Sequence, residues 1–210
     1  ENYEHPEMPN GAEEGIKRGM YLFEQDEKAT VQLMGSGVIL REVIKAAKIL
    51  RDEYQIHSNV WSVTSFNELA RDGMAVEEYN RLHPLEDGKE SWVSQQLRDT
   101  DGIVVSATDH MRAYSEQIRA YLPDGRPFVA LGTDGFGRSD TRANLRSYFG
   151  VDAAHIVVAT LKKLADEGEV DARLVKDAIS NFELDTDRPV AWAPQAHPEL
   201  HAVADYKEEN

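Results

Sequence analysis

Short apolar runs alternate with longer stretches of helically spaced apolar positions along most of the chain. After an extended opening marked by Pro6 and Pro9, residues 11–23 place Ile16, Met20 and Phe23 at helical spacing, with Glu13 and Glu14 where a first helical turn favours anions. This predicts one short amphipathic helix. Residues 30–35 (TVQLMG) read as a strand closed by Gly35-Ser36-Gly37, and residues 38–54 carry Val38, Ile39, Val43, Ala46, Ala47 and Leu50 as a helical stripe. The order then repeats. Residues 59–63 lead through Thr64-Ser65 into a helical pattern over 66–82, and residues 103–105 lead through Ser106-Ala107-Thr108-Asp109 into a helical pattern over 111–122. A fourth strand, 128–131, runs into Gly132-Thr133-Asp134-Gly135-Phe136-Gly137 and a helix near 142–149. Strands this short, without clear alternation and each followed by a helix, predict a three-layer α/β/α fold with a mainly parallel sheet.

The remaining segments complete that picture. Trp92, Val93, Gln96 and Leu97 predict a short helix before the third strand. Residues 152–167 and 171–182 predict two helices, each opened by an Asp in N-cap position, with Gly168 ending the first. We expect residues 1–29 to form an arm and helix, 30–184 the α/β body, and 185–210 a tail containing Pro189, Pro194 and Pro198. The chain opens on Glu1 without a leader pattern, so it is expected to begin inside a longer gene product.

Composition narrows the partners. A chain of 210 residues with 41% hydrophobic content suits one core, and a formal charge of −15 sets its field against polyanions, so nucleic acid and anionic membranes are not expected partners. No apolar stretch approaches the roughly 20 residues of a membrane-spanning helix. Cysteine is absent, which removes thiolate chemistry and disulfides and is compatible with a reducing cytoplasm.

Candidate chemistry gathers at the predicted strand ends. Ser36 lies in a glycine turn where backbone N–H groups can hold an anion, but the turn lacks the third glycine of a dinucleotide fingerprint and the lysine of a P-loop. Thr64 follows the second strand. Asp109 and His110 follow the third, and suit general acid–base work in type though no nucleophile with a matching partner is recognisable. Residues 132–140 form the most polar and glycine-rich loop; Thr133, Asp134 and Arg138 are its candidates, either as a ligand or partner surface or as a self-satisfied turn in which Arg138 pairs with Asp134 or Asp140. His197 and His201 are four apart but depart from the H-E-x-x-H zinc pattern, and Asp185 with Asp187 is an ordinary coincidence in an acidic chain. Trp61 and Trp92 read as core or interface anchors, whereas Trp192 in a polar tail suggests docking.

Three long stretches carry a family likeness: Glu1-Asn2-Tyr3 with Met8-Pro9 and residues 11–16 (GAEEGI), residues 62–73 (SVTSFNELARDG), and residues 131–140 (LGTDGFGRSD). They closely resemble the C-terminal domain of the homodimeric bacterial pyruvate dehydrogenases, over nearly all of residues 1 to 188; the more distant transketolases share the domain type. The resemblance implies a third domain of a cytoplasmic thiamine-diphosphate oxidoreductase, following two domains that hold the cofactor and magnesium across a dimer interface. It implies neither cofactor nor metal in this chain and no catalytic residue at any position of it. Its implied role is structural, supporting the dimer and contacting the upstream domains, the second subunit and the acyltransferase component. A different class of function remains open beside it, a regulatory module that uses the strand ends as a nucleotide or anion pocket.

Overall fold

A computed structural model of the chain describes residues 7–191 and 193. Trp192 and the histidines at 197 and 201 lie outside the described residues. Strands β1 (Met20–Glu24), β2 (Val31–Ser36), β3 (Ser58–Val63), β4 (Ile103–Ala107) and β5 (Phe128–Leu131) form one sheet in the order β1-β3-β2-β4-β5. The four strands β2 to β5 run parallel, as expected, and β1 is added antiparallel to β3 at one edge.

Both sheet faces are covered by helices of this chain, which makes three layers. On one face Val31, Leu33, Val60, Ile103 and Val105 pack against α2 (Leu40–Tyr54), α7 (Ala153–Asp166) and α8 (Ala172–Asn181). On the other, Met34, Trp61, Val63, Val104 and Phe128 pack against α3 (Phe66–Leu82), α4 (Trp92–Leu97) and the segment of Ile118 and Leu122. With both faces buried, the strands have no reason to alternate in polarity.

Local chemistry fixes where the helices begin and end. Ser65 caps α3 by accepting from the Glu68 N–H at 3.1 Å, and the Ser-x-x-Glu spacing is that of a capping box. Asp152 and Asp171 cap α7 and α8, as their positions predicted. Helix α2 stops where Gln55 turns left-handed (φ 57°) and Ile56 N–H donates to Leu50 O at 3.0 Å.

Two predicted helices are corrected. Over residues 11–23 only α1 (Glu13–Arg18) is helical; Gly19, at φ 104°, turns the chain into β1. Met20 is therefore a fully buried strand residue, and its spacing from Ile16 and Phe23 mimics a helical stripe without making one. Gly19 O accepts from both Thr64 N–H and Ser65 N–H, and a Cβ at residue 19 would lie 2.7 Å from Ser65 O, so tertiary contact with the end of β3 decides the matter. Over 111–122 the helix is reduced to α5 (Arg112–Glu116) and a 3₁₀ turn at Arg119–Tyr121. There Ser115, wholly buried, donates its hydroxyl back to Arg112 O at 3.1 Å, a local bond that competes with helix continuation, and Pro123 follows.

One polar network runs through the core. Gln32 is 0% exposed; its Oε1 accepts from Trp61 Nε1 at 2.9 Å and Asn59 Nδ2 at 3.1 Å, and its Nε2 donates to Asp101 O at 3.0 Å. Gln32→Leu leaves the Trp61 and Asn59 donors buried without an acceptor, so it should lower stability by about 2–4 kcal/mol. Met34→Leu on the same strand face should cost under about 1.5 kcal/mol. Urea unfolding midpoints check this; equal losses for the two variants would contradict it.

Candidate functional site

Strand order determines where a site can form. The chain leaves β2 through α2 to reach β3 on one side, then crosses back to β4 on the other, so connections diverge between β2 and β4. Open α/β sheets bind ligands in the crevice at such a divergence, outside the carboxyl ends of the strands. Gly35 pairs with Ala107 in this register, which brings the turns Ser36-Gly37 and Thr108-Asp109 side by side at the strand ends.

The loop after β5 folds over those ends. Thr133 N–H donates to His110 O at 2.9 Å and Thr133 Oγ1 donates to Asp109 O at 2.7 Å. Asp134 accepts from Arg112 N–H at 3.1 Å and forms an ion pair with the Arg112 guanidinium. The loops approach so closely at Gly132 that a Cβ there would lie 2.5 Å from His110 O and 2.7 Å from Arg112 N. Farther on, Thr141 caps α6 (Arg142–Phe149), accepting from Asn144 N–H. Asp140 accepts from Asn144 Nδ2 at 2.8 Å and Thr141 N–H at 2.7 Å, and these bonds hold its carboxyl below the usual aspartate range.

Between the start of α2, this loop and α6 lies a cavity of about 610 Å³. Val38, Ile39, Leu145, Phe149 and Val151 supply its apolar lining, and Asp109, Arg138, Arg142 and Arg146 are the charged residues along its wall among the described residues. Phe136 stands at the wall, 64% exposed. Arg146 is held from behind: its Nη1 is 3.3 Å from Glu42 Oε1, a buried carboxylate that also lies 2.9 Å from Lys45 Nζ and accepts from Ala153 N–H. The Arg138 guanidinium sits 4.6 Å from the Tyr148 ring centroid.

Of the residues singled out in the sequence, Asp109, Thr133 and Arg138 line this cavity together. Asp134 lies behind them and pairs with Arg112; Arg138, expected to pair with Asp134 or Asp140, lies over Tyr148 and is close enough to Asp140 for its charge to help lower that carboxyl's pKa. His110 is exposed, offers its carbonyl to Thr133, and has its ring 5.5 Å from that of Tyr114. Thr64 is used elsewhere, donating to Ile16 O at 2.8 Å, and Ser36 ends β2 opposite Val63 outside the cavity lining. Trp61 is a core anchor, and Trp92 donates its indole N–H to Met20 O while Arg18 lies over its ring. Asp185 accepts from Asp187 N–H in a local turn. The apolar wall and the pair Arg142 and Arg146 were not singled out; basic residues four apart with Leu145 and Phe149 between and beyond them, directly after the most polar loop, were the available signal.

Comparison with known proteins bears on what this domain is. Residues 19–152 match the family model of the transketolase-like C-terminal domain. The chain is 51% identical over 191 residues to the pyruvate dehydrogenase E1 component of Pseudomonas aeruginosa, and 51% identical over 190 residues to that of Escherichia coli K12. Each match covers 90% of this chain but 22% and 21% of the relative, so the chain spans about a fifth of the length of these curated relatives. Among solved structures, a Pichia stipitis transketolase aligns at a TM-score of 0.51 with 18% identity, covering 72% of this chain and 19% of that one, a likeness of fold.

Where Val151 closes the cavity wall, Asp152 anchors α7. Burial raises the pKa of its carboxyl, but the hydrogen bonds from His155, ring Nδ1 at 2.6 Å and backbone N–H at 3.0 Å, outweigh this and hold it below the ordinary 3.8. A depressed carboxylate contributes stability above its unfolded value and loses it as pH falls through the folded one. Asp152→Asn keeps a capping oxygen and removes the charge, so the wild-type chain should be more stable by about 1 kcal/mol near neutral pH. That margin should shrink once pH drops below about 4. Urea midpoints across this range check it; a margin unchanged well below that pH would contradict the assignment.

Proposed function

The chain belongs to the transketolase-like C-terminal domain family, and from that membership we propose that it serves as the C-terminal domain of a pyruvate dehydrogenase E1 component. The observation that carries the reading is the 51% identity over 191 residues, which extends well beyond the 19–152 of the family model. In this reading the parent is a cytoplasmic oxidoreductase that decarboxylates pyruvate oxidatively and passes the acetyl group to the lipoyl group of the acyltransferase component. Residues 1–29 lead in from upstream domains and contribute β1 to the sheet, 30–184 form the rest of the body, and 185–210 are the tail. The partners are those upstream domains, the second subunit of a homodimer and the acyltransferase component.

The role proposed for these residues is structural. Thiamine diphosphate would supply carbanion chemistry to the parent. The donor set here does not fit it with its magnesium: among the described residues no group of three or more His, Asp or Glu side chains converges on a metal position. The His–Asp pairs that form, His57 with Asp26 and His155 with Asp152, lie outside the strand-end cavity and serve a loop and an N-cap. His110 faces solvent with its ring beside that of Tyr114, and among the described residues no nucleophile, base and orienting group are assembled around it. Among the described residues no helix is long and apolar enough to cross a membrane.

The 210 residues alone should therefore neither bind thiamine diphosphate with magnesium nor decarboxylate pyruvate. Calorimetric titration and a pyruvate-consumption assay measure both. Saturable cofactor binding accompanied by decarboxylation would overturn the structural role.

A further inference from the structure

Residues 7–12 lead the chain into α1, and among the described residues they hold the one asparagine that a glycine follows, Asn10 before Gly11. We propose that Asn10–Gly11 is a site of spontaneous deamidation, at which residue 10 passes through a cyclic succinimide and emerges as aspartate or isoaspartate.

The reaction has three requirements, and all of them are met at this position. The side-chain amide must be open to water, and Asn10 and Gly11 are both exposed. The next backbone nitrogen must be free to attack. Gly11 holds the third position of a turn that Ala12 N–H closes on Pro9 O at 3.3 Å, and its φ of 78° after a negative φ at Asn10 is type II geometry. The closing bond of such a turn leaves the third N–H unused, and among the described residues nothing accepts from Gly11 N–H. Lastly, the backbone must be able to rotate into the ring. Gly11 has no Cβ to hinder this, and even an added Cβ would meet nothing within 4 Å.

The other described asparagines each fail a requirement. Asn59 is buried within β3, its amide donating to Gln32 Oε1 and accepting from Asp26 N–H. After Asn67, Asn144 and Asn181 the next N–H is already given away, by Glu68 to Ser65 Oγ, by Leu145 to Thr141 O and by Phe182 to Ala178 O. Asn80 lies inside α3 with its amide bonded at both ends to the Lys89 backbone, at 2.9 and 2.8 Å.

The step balances with water alone. Loss of the Gly11 N–H proton frees a lone pair that attacks Asn10 Cγ, a C–N bond closes the five-membered ring, and Nδ2 leaves as ammonia with that proton. Water then opens the ring at either carbonyl. Cleavage at Cγ restores the main chain as aspartate, whereas cleavage at the backbone carbonyl leaves isoaspartate, whose main chain is longer by one methylene. Either product adds a negative charge. Just beyond, α1 is tied to the end of β3: Ile16 O accepts from Thr64 Oγ1, and Gly19 O accepts from Thr64 and Ser65 N–H. The change therefore falls at the joint where the chain enters the sheet. It depends on no assignment of the domain to an E1 component.

Ageing the 210-residue chain in neutral and mildly alkaline buffer made with heavy-oxygen water, then sequencing its peptides by mass spectrometry, tests this. Asn10 should convert about tenfold or more faster than the other described asparagines, whose following nitrogens are engaged. Its rate should rise with pH, each conversion should take up one labelled oxygen, and isoaspartate should be among the products. Gly11→Val, whose branched Cβ crowds the attack, should slow conversion by about tenfold or more. Asn10→Gln, which would need a larger ring, should slow it as much. Circular dichroism establishes that each variant is folded, and Asn10→Gln decides the matter if Gly11→Val is not. Asp-Gly pairs such as Asp87–Gly88 form isoaspartate without losing ammonia, so fragment masses at residue 10 separate the two sources. An Asn10 that converts no faster than Asn59 or Asn144, aspartate without isoaspartate, or an unchanged rate in a folded variant would overturn the proposal.

Discussion

Gln32 is fully buried in the middle strand of the parallel sheet, and its side-chain amide bonds to Trp61 and Asn59 on β3 and to the Asp101 carbonyl just before β4. The apolar residues of β2 and β4 face both layers, so the hydrophobic pattern by itself sets register weakly. A buried amide sets it strongly, because a slip by one residue would carry Gln32 to the opposite face, among Val60 and Val105, with its donors and acceptor unmade. From that register everything at the other end of the strands follows. Gly35 comes level with Ala107, the turns after β2 and β4 face one another, and Thr133 can bond to the backbone of Asp109 and His110.

Much of the body was legible because its signals are local. The strands at 30–35, 59–63 and 128–131, the helices at 66–82 and 142–149, and the Asp caps at 152 and 171 were all expected where they lie. What escaped depends on distant partners. Strand β1 carries Met20 and Phe23 at a helical spacing from Ile16, and only Gly19 meeting the end of β3 reveals that the chain has turned. The break in 111–122 depends on a buried serine hydroxyl bonding backward, which no apolar period encodes.

The site was half legible for the same reason. Asp109, Thr133 and Arg138 come from loops directly after strands, and strand ends are predictable once strands are. The other half of the cavity comes from α6, where Arg142, Leu145, Arg146 and Phe149 share a face that gains meaning only when buried Glu42 on α2 draws Arg146 inward. Asp134 illustrates the limit of reasoning from neighbours in sequence, since its partner is Arg112 and not Arg138 four residues away.

One domain thus carries two features, a scaffold similar to the matching segment of E1 components and a cavity at its strand ends. The scaffold reading is the central one, and it is tested most directly by replacing the matching segment of the Pseudomonas aeruginosa E1 component with this chain and assaying pyruvate-dependent acetyl transfer. The account predicts a chimera active within about tenfold of the parent, since the chain would restore contacts without supplying catalytic groups. A folded chimera of the parent's oligomeric state that lacks activity would contradict it.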